Sequence, residues 1–254
     1  MLTALNSGES GVAAQQRALD LIANNIANVS TPGYKEAVPD FADLIYRQIR
    51  MDQPPNQAPL VGQGVRVTGT HAVFTGGTLI ATGRPLDLAI EGNGFFQVTT
   101  ADGQSAYTRD GTLQVSPDGR LVTSGGQVLE PQISVPAGAE VSITADGRIL
   151  AKLNQQGTVS QIGQITLTTF PNPPALTKIG DSLYQPDVNS GAPVVGAPGT
   201  GEFGSIRQGY QESANVDLAN AMTAMLEAQR AYQLNARVVT NADQMLGIAN
   251  NLRR

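Results

Sequence analysis

The chain has 254 residues, enough for one or two domains with a buried core. Its formal net charge is −5 and it holds no block of Lys or Arg, which disfavours nucleic-acid binding. With no cysteine and one histidine, it has no disulfide, no thiolate nucleophile and no His/Cys metal centre, and the lack of cysteine suits an extracytoplasmic setting.

A helix is predicted at the N-terminus. Leu5, Val12, Leu19 and Ile26 are spaced by seven, as are Gln15, Ile22 and Val29, and a seven-residue apolar repeat is a coiled-coil pattern. Gly8 and Gly11 each cost about 1 kcal/mol in a helix interior, so their use implies close approach of another backbone. Ser30-Thr31-Pro32-Gly33 is the expected stop, because the residue before proline avoids the α region. This opening lacks the basic and apolar regions of a Sec signal, and no apolar run in the chain approaches the ~18 residues that span a bilayer.

Composition changes after Gly33. Phe41 to Arg47 reads as a short helix, and Asp52 to Gly64, rich in Pro, Gln, Asn and Gly, as an extended or looped stretch. From Gly64 to about Ser205 the pattern is β. Val65, Val67, Leu86, Leu88 and Ile90 alternate with polar partners, and Phe95, Phe96 and Val98 continue the signal. Asp-Gly pairs at Asp102, Asp110, Asp118 and Asp146 predict hairpins in an antiparallel meander.

The last forty residues predict a second, longer helix. Leu218, Met222, Met225, Gln229, Tyr232, Ala236, Val239 and Leu246 fall on one stripe, with Asn215 as the expected N-cap. Such a helix would be roughly 55–60 Å long, more than a small domain can cover. The fold class expected is therefore α+β. Long N- and C-terminal helices pair as a coiled-coil-like domain, and an all-β antiparallel domain is inserted between them. The boundaries are 1–34 for the first helix, 35–70 for an extended connecting segment, 71–210 for the β-rich domain and 211–254 for the second helix.

Candidate chemistry is sparse. His71 has no nucleophile elbow to serve, and a strand or loop histidine facing solvent is expected. Gly92-Asn93-Gly94 precedes a strand, not a helix, so a tight turn is expected there and not a phosphate loop. Asp87 and Glu91 would share one strand face about 13 Å apart, too far for paired-carboxylate hydrolysis. The Asp-Gly repeats lack the dense ligand spacing of calcium loops. No catalytic, cofactor or metal residue is predicted. The amides Asn24, Asn25 and Asn28 are weak helix formers, and they are read either as frayed-end caps or as hydrogen-bonding groups that set register across a helix contact.

Residues 23–35, Ala-Asn-Asn-Ile-Ala-Asn-Val-Ser-Thr-Pro-Gly-Tyr-Lys, resemble the N-terminal signature of the bacterial flagellar rod and hook family. Residues 213–217 (Ser-Ala-Asn-Val-Asp), 225–232 (Met-Leu-Glu-Ala-Gln-Arg-Ala-Tyr) and 243–246 (Asp-Gln-Met-Leu) look like its C-terminal signature. Phe41, Leu44, Ile45 and Tyr46, with the segment up to Val65, look like the branch that builds the distal rod. So do residues 92–96 and 106–111. Asn220 departs from the acidic residue that pattern carries.

The resemblance implies a non-enzymatic structural subunit of the distal rod, self-assembling into a helical tubular array that passes torque from motor to hook. The terminal helices would form its inner layer. The segment of about Lys35 to Gly69 would stiffen the shaft. Implied partners are other copies of the chain, proximal rod proteins, the hook protein, P- and L-ring proteins where an outer membrane exists, and the type III export apparatus. No nucleic acid, cofactor or small-molecule substrate is implied. The implied location is the flagellar basal body in the cell envelope. A paralogous proximal rod subunit and a peptidoglycan-binding envelope protein are the alternatives. Head-to-tail contacts that do not close give filaments, so long unfinished helices fit an assembling subunit.

Overall fold

The computed structural model describes residues 2–44, 47–48, 60–152 and 159–251. The chain divides into two compact units. The first comprises Met1–Ala27, Ala37–His71 and Asp217–Arg254; the second comprises Asn28–Glu36 and Ala72–Val216.

In the first unit, helix α1 (Leu2–Ala27, 26 residues) packs on helix α2 (Leu218–Asn251, 34 residues). At 1.5 Å per residue, α2 is about 51 Å long. A Cβ on Gly8 would lie 2.9 Å from Val239 Cγ2, and one on Gly11 would lie 2.7 Å from Asn235 Nδ2. One turn forward on α1 thus meets one turn back on α2, so the helices run antiparallel, with the Val239 and Asn235 side chains seated over the two glycines. Opposed dipoles favour that arrangement. The helix ends differ from the expected ones. α1 stops at Ala27, and a turn closed by Thr31 N–H to the Asn28 carbonyl follows. α2 is capped by Asp217, not Asn215: the Asp217 carboxylate accepts from Ala219 N at 2.9 Å and Asn220 N at 3.2 Å. Asp217 is the better choice because its charge meets the positive end of the helix.

Residues 41–43, expected to begin a short helix, belong to the strand Ala37–Asp43, which pairs with Val65–Ala72. Leu44 N donates to Gly64 O at 2.9 Å, and Arg47–Gln48 pairs antiparallel with Leu60–Val61. The connecting segment is therefore a long β-hairpin. Cross-strand pairing has overridden a weak local helical pattern. Ser10 and Asn25 of α1 fasten this hairpin. Val65 N donates to Ser10 Oγ at 3.3 Å. Gly64, at φ +107°, approaches so closely that a Cβ would lie 2.0 Å from that oxygen.

The second unit is antiparallel β throughout. Its main sheet runs in the order Thr177–Gly180, Leu183–Gln185, Ser105–Thr108, Phe95–Thr99, Val128–Glu130, Leu121–Thr123, Leu113–Val115. Leu167–Thr169 also pairs with Phe95–Thr99 and carries Val194–Gly196 outside it. Glu140–Ile143, Arg148–Lys152 and Val159–Gln164 form a second sheet. The main apolar core includes Leu88, Phe96, Val98, Leu121, Leu129, Ile149, Ile165 and Leu167, and an aromatic cluster gathers Phe74, Phe95, Tyr107, Phe170 and Tyr184. Rings in that cluster meet edge to face, Tyr107 and Phe170 at 4.8 Å between centroids.

Three of the four Asp-Gly pairs make the expected hairpins, with positive φ at Gly103, Gly119 and Gly147. Asp110-Gly111 does not. The strands on either side of it, Ser105–Thr108 and Leu113–Val115, are not neighbours in the sheet. The Asp110 carboxylate accepts from Thr112 N and Oγ1. Glycine is required at 111 for space, since a Cβ there would lie 1.8 Å from the Leu88 carbonyl oxygen. Gly111→Ala is therefore expected to cost about 3 kcal/mol or more, because backbone and not a movable side chain must yield. Urea denaturation of the variant checks it, and the cost should exceed that of Gly103→Ala, which meets open space.

Candidate assembly interface

The contact between α1 and α2 sets small residues of α1 against a seam of small and large residues on α2. Gly8, Gly11, Ala18 and Asn25 are buried on α1, and Ala221, Ala228 and Ala242 on α2. Half-buried Met225, Tyr232, Asn235, Val239 and Leu246 complete the α2 seam at alternating spacings of four and three. The larger apolar residues are displaced outward. Leu5, Val12, Leu19, Ile22 and Ile26 are only half-buried. On α2, Leu218 (45 % exposed), Met222 (56 %), Leu226 (56 %), Leu234 (60 %), Val238 (44 %), Met245 (49 %) and Ile248 (61 %) face solvent. Of the predicted C-terminal stripe, Met225, Tyr232, Ala236, Val239 and Leu246 are half-buried, whereas Leu218, Met222 and Gln229 are exposed. Met225, Tyr232, Val239 and Leu246 of that stripe are seam residues, whereas Met222, Gln229 and Ala236 each lie one residue past a seam residue, Ala221, Ala228 and Asn235.

Asn25 pairs with the Ala37 backbone, donating to its carbonyl at 2.9 Å and accepting its N–H at 3.0 Å, and so anchors the start of the hairpin strand. Asn28 Oδ1 accepts from Thr31 Oγ1 at 3.2 Å in the turn, and Asn24 is exposed. The amide in the interhelical seam is Asn235. Phe41 is exposed, Leu44 lines a groove on α1 with Ser10, Ala14 and Val65, and Ile45 and Tyr46 lie outside the described residues.

The residues once considered for chemistry have structural partners. His71 is on the strand Val65–Ala72, half-exposed, with Nδ1 3.0 Å from the Asp40 carboxylate. Asp87 is buried against Thr82 Oγ1 and Arg84 Nε, while Glu91 is exposed and pairs with Arg207. Gly92-Asn93-Gly94 turns the chain from one sheet to another, and the carbonyls of Gly92 and Gly94 accept from the Arg109 guanidinium at 2.7–3.0 Å. Among the described residues there is no cluster of three side chains suited to a metal, and no helix is long and apolar enough to cross a membrane.

A buried ionic node, missed in the sequence, lies within the second unit where the chain passes between units. Lys35 Nζ is 2.6 Å from Glu212 Oε1 and also donates to the Thr75 carbonyl at 2.7 Å. Glu212 further accepts from Gly77 N at 2.9 Å, and Arg109 Nε stands 3.2 Å from its second oxygen. Lys35 and Glu212 are almost wholly buried. Asn215 reinforces the node, accepting from Glu36 N and donating to the Val73 carbonyl. Thus 33–36, 73–77 and 212–215, far apart in sequence, are fixed to one another. Burial pulls the Lys35 ammonium below the ordinary lysine range, although Glu212 opposes this. Burial pushes the neighbouring Tyr184 phenol well above its ordinary value of 10.0.

These motifs recur in known proteins. The family described as Flagella basal body rod protein matches residues 5–35. The Flagellar hook protein FlgE/F/G D1 domain matches 89–151, and the Flagellar basal body rod FlgEFG protein C-terminal family matches 207–252. The chain belongs to the flagellar rod and hook protein family. Within that family, its full-length likeness is to FlgG. The flagellar basal-body rod protein FlgG of Agrobacterium fabrum is 40 % identical, covering 98 % of each chain. That of Borreliella burgdorferi is 38 % identical over 100 % of both. FlgF of Caulobacter vibrioides is 35 % identical over 96 % of this chain and 95 % of its own. The chain is accordingly a structural protein of the flagellar basal body, and it assembles with other rod and hook components.

Glu212→Gln should cost about 3–5 kcal/mol in chemical denaturation, because it leaves Lys35 and Arg109 buried without their shared anion. The pH dependence follows from Tyr184. A phenol whose folded pKa is raised stabilises fully below the unfolded value of 10.0, and that stability is lost as pH climbs above it. Thermal melts should therefore fall above about pH 10, and Tyr184→Phe should flatten that alkaline slope.

Proposed function

We propose that the chain is the repeating subunit of the distal rod, self-assembling into a helical tubular array that carries torque from motor to hook. The observation that carries this reading is the exposed apolar surface of α2. Met225, Tyr232, Val239 and Leu246 are half-buried in the contact with α1, and seven other large apolar residues stand outside it. Seven large apolar side chains at 44–61 % exposure along one helix exceed the scattered exposure of an ordinary surface. Copies of the same chain supply long helices able to cover them.

On this reading the subunit stacks on proximal rod proteins and carries the hook protein. P- and L-ring proteins surround it where an outer membrane exists. It leaves the cytoplasm unprocessed through the type III apparatus. It is not an enzyme and takes no cofactor, nucleic acid or small-molecule substrate. In support, His71, Asp87 and Glu91 are each held by a charged neighbour.

The hairpin from Ala37 to Ala72 is the proposed stiffener, with Phe41, Leu44, Ile45 and Tyr46 among the residues that bridge neighbouring subunits. Its arms already meet where Leu44 N bonds to Gly64 O at 2.9 Å. Replacing residues 45–63 by an Asn-Gly turn should therefore leave the fold intact, by circular dichroism and melting temperature. Electron microscopy should then show bent or more flexible rods in cells carrying the shortened chain. Straight rods of normal stiffness would remove the stiffening role.

A further inference from the structure

The only Asn-Gly pair in the chain is Asn93-Gly94, at the turn that leaves the strand Leu88–Glu91 and enters Phe95–Thr99. We infer that it is a self-modification site, at which the folded chain converts the Asn93 amide into a mixture of aspartate and isoaspartate. The inference is independent of the assembly reading above. The chemistry needs a free side-chain amide, a backbone nitrogen that can reach it, and water. Asn93 is exposed, and its side chain bonds to no described residue. Gly94 is buried, yet its N–H donates to no described group. A buried backbone N–H left unpaired is rare. Glycine also adds no side chain to hinder attack by its own nitrogen. Both residues line a groove of about 390 Å³ that reaches the surface beside the exposed Glu202, so water enters and ammonia leaves.

What slows this reaction in an ordinary peptide is the weak acidity of the backbone amide. Here the fold holds two donors where the amide anion develops. Gly204 N donates at 2.7 Å to the Asn93 carbonyl oxygen, which belongs to the same peptide group as Gly94 N. The buried Arg109 guanidinium donates to the carbonyls on either side, those of Gly92 and Gly94, at 2.7–3.0 Å. Fixed donors and positive charge around a developing anion lower the barrier to forming it.

Gly94 N attacks Asn93 Cγ and forms the N–Cγ bond. Its proton passes through solvent to Nδ2, which leaves as ammonia, and the product is a five-membered imide. Water then opens the ring. Cleavage of the N–Cγ bond gives aspartate. Cleavage between that nitrogen and the Asn93 backbone carbonyl carbon gives isoaspartate, with the main chain rerouted through Cβ and Cγ. Isoaspartate thus inserts one carbon between Gly92 and Gly94, whose carbonyls Arg109 Nη1 bridges at 2.9 and 2.7 Å. The clasp slackens, and with it the contact of Arg109 with Glu212.

The test incubates three samples at one neutral pH and temperature: the folded full-length chain, the same chain unfolded in guanidinium chloride, and folded Asn93→Gln. The variant keeps an exposed amide but would have to close a six-membered ring. Peptide mass mapping follows the change from amide to acid at each asparagine, and labelling by an isoaspartyl methyltransferase identifies isoaspartate. Asn93 should convert about tenfold or more faster in the folded chain than in the unfolded one, because only the fold supplies the donors. It should also convert ahead of Asn189, which is exposed and followed by Ser190. Position 93 of Asn93→Gln should stay unmodified. After incubation the parent should melt below its fresh sample, and Asn93→Gln should not. Conversion of Asn93 no faster in the folded chain than in the unfolded one, or later than Asn189, overturns the site. A modified parent that melts like the fresh one overturns its link to the Arg109 clasp.

Discussion

Everything in the helical unit follows from how closely two backbones approach. Gly8 and Gly11 on one helix make room for the Val239 and Asn235 side chains of the other, and buried alanines at 221, 228 and 242 line the rest of the α2 seam. Large groups fill that seam only in part: Met225, Tyr232, Val239 and Leu246 are half-buried in it, while Leu226, Leu234, Val238, Met245 and Ile248 stand exposed outside. The exposed row leaves apolar area unsatisfied within one chain. The glycines, unfavourable for helix propensity, are favourable for this geometry.

The β unit meets a different problem. The chain enters it, leaves, returns and leaves again, so segments distant in sequence must be held in one place. Hydrophobic packing alone is poorly directional. Here the fastening is done by Lys35, Arg109, Glu212 and Asn215, whose hydrogen bonds fix position and angle. Burying such charges is costly unless each is paired, and removing one partner exposes the full penalty. The node holds the three segments 33–36, 73–77 and 212–215 against one another within the second unit.

The same node explains sequence features that resemble functional motifs. The glycines at 92 and 94 present carbonyls to Arg109, and Tyr34-Lys35 carries a buried cation to Glu212. A glycine-rich loop and a buried lysine elsewhere signal phosphate or catalysis. Here both are consumed by architecture, and His71, Asp87 and Glu91 are likewise occupied by neighbours.

The sequence alone determined the α+β layout, the two terminal helices, three of the four Asp-Gly hairpins and the need for close approach at Gly8 and Gly11. These depend on local periodicity, turn chemistry and the cost of glycine in a helix, which act over a few residues. It did not determine the hairpin at residues 37–72. A strand's pairing partner lies some thirty residues away, and local helical spacing at 41–47 is too weak to compete. The sequence marked Met225, Tyr232, Val239 and Leu246 of the α2 seam but not Ala221, Ala228, Asn235 and Ala242, because apolar size points to Met222 while steric room selects Ala221. Lys35, Arg109 and Glu212 were invisible as a set. Their charges come together only when three distant segments are folded against one another, and no spacing along the chain records that.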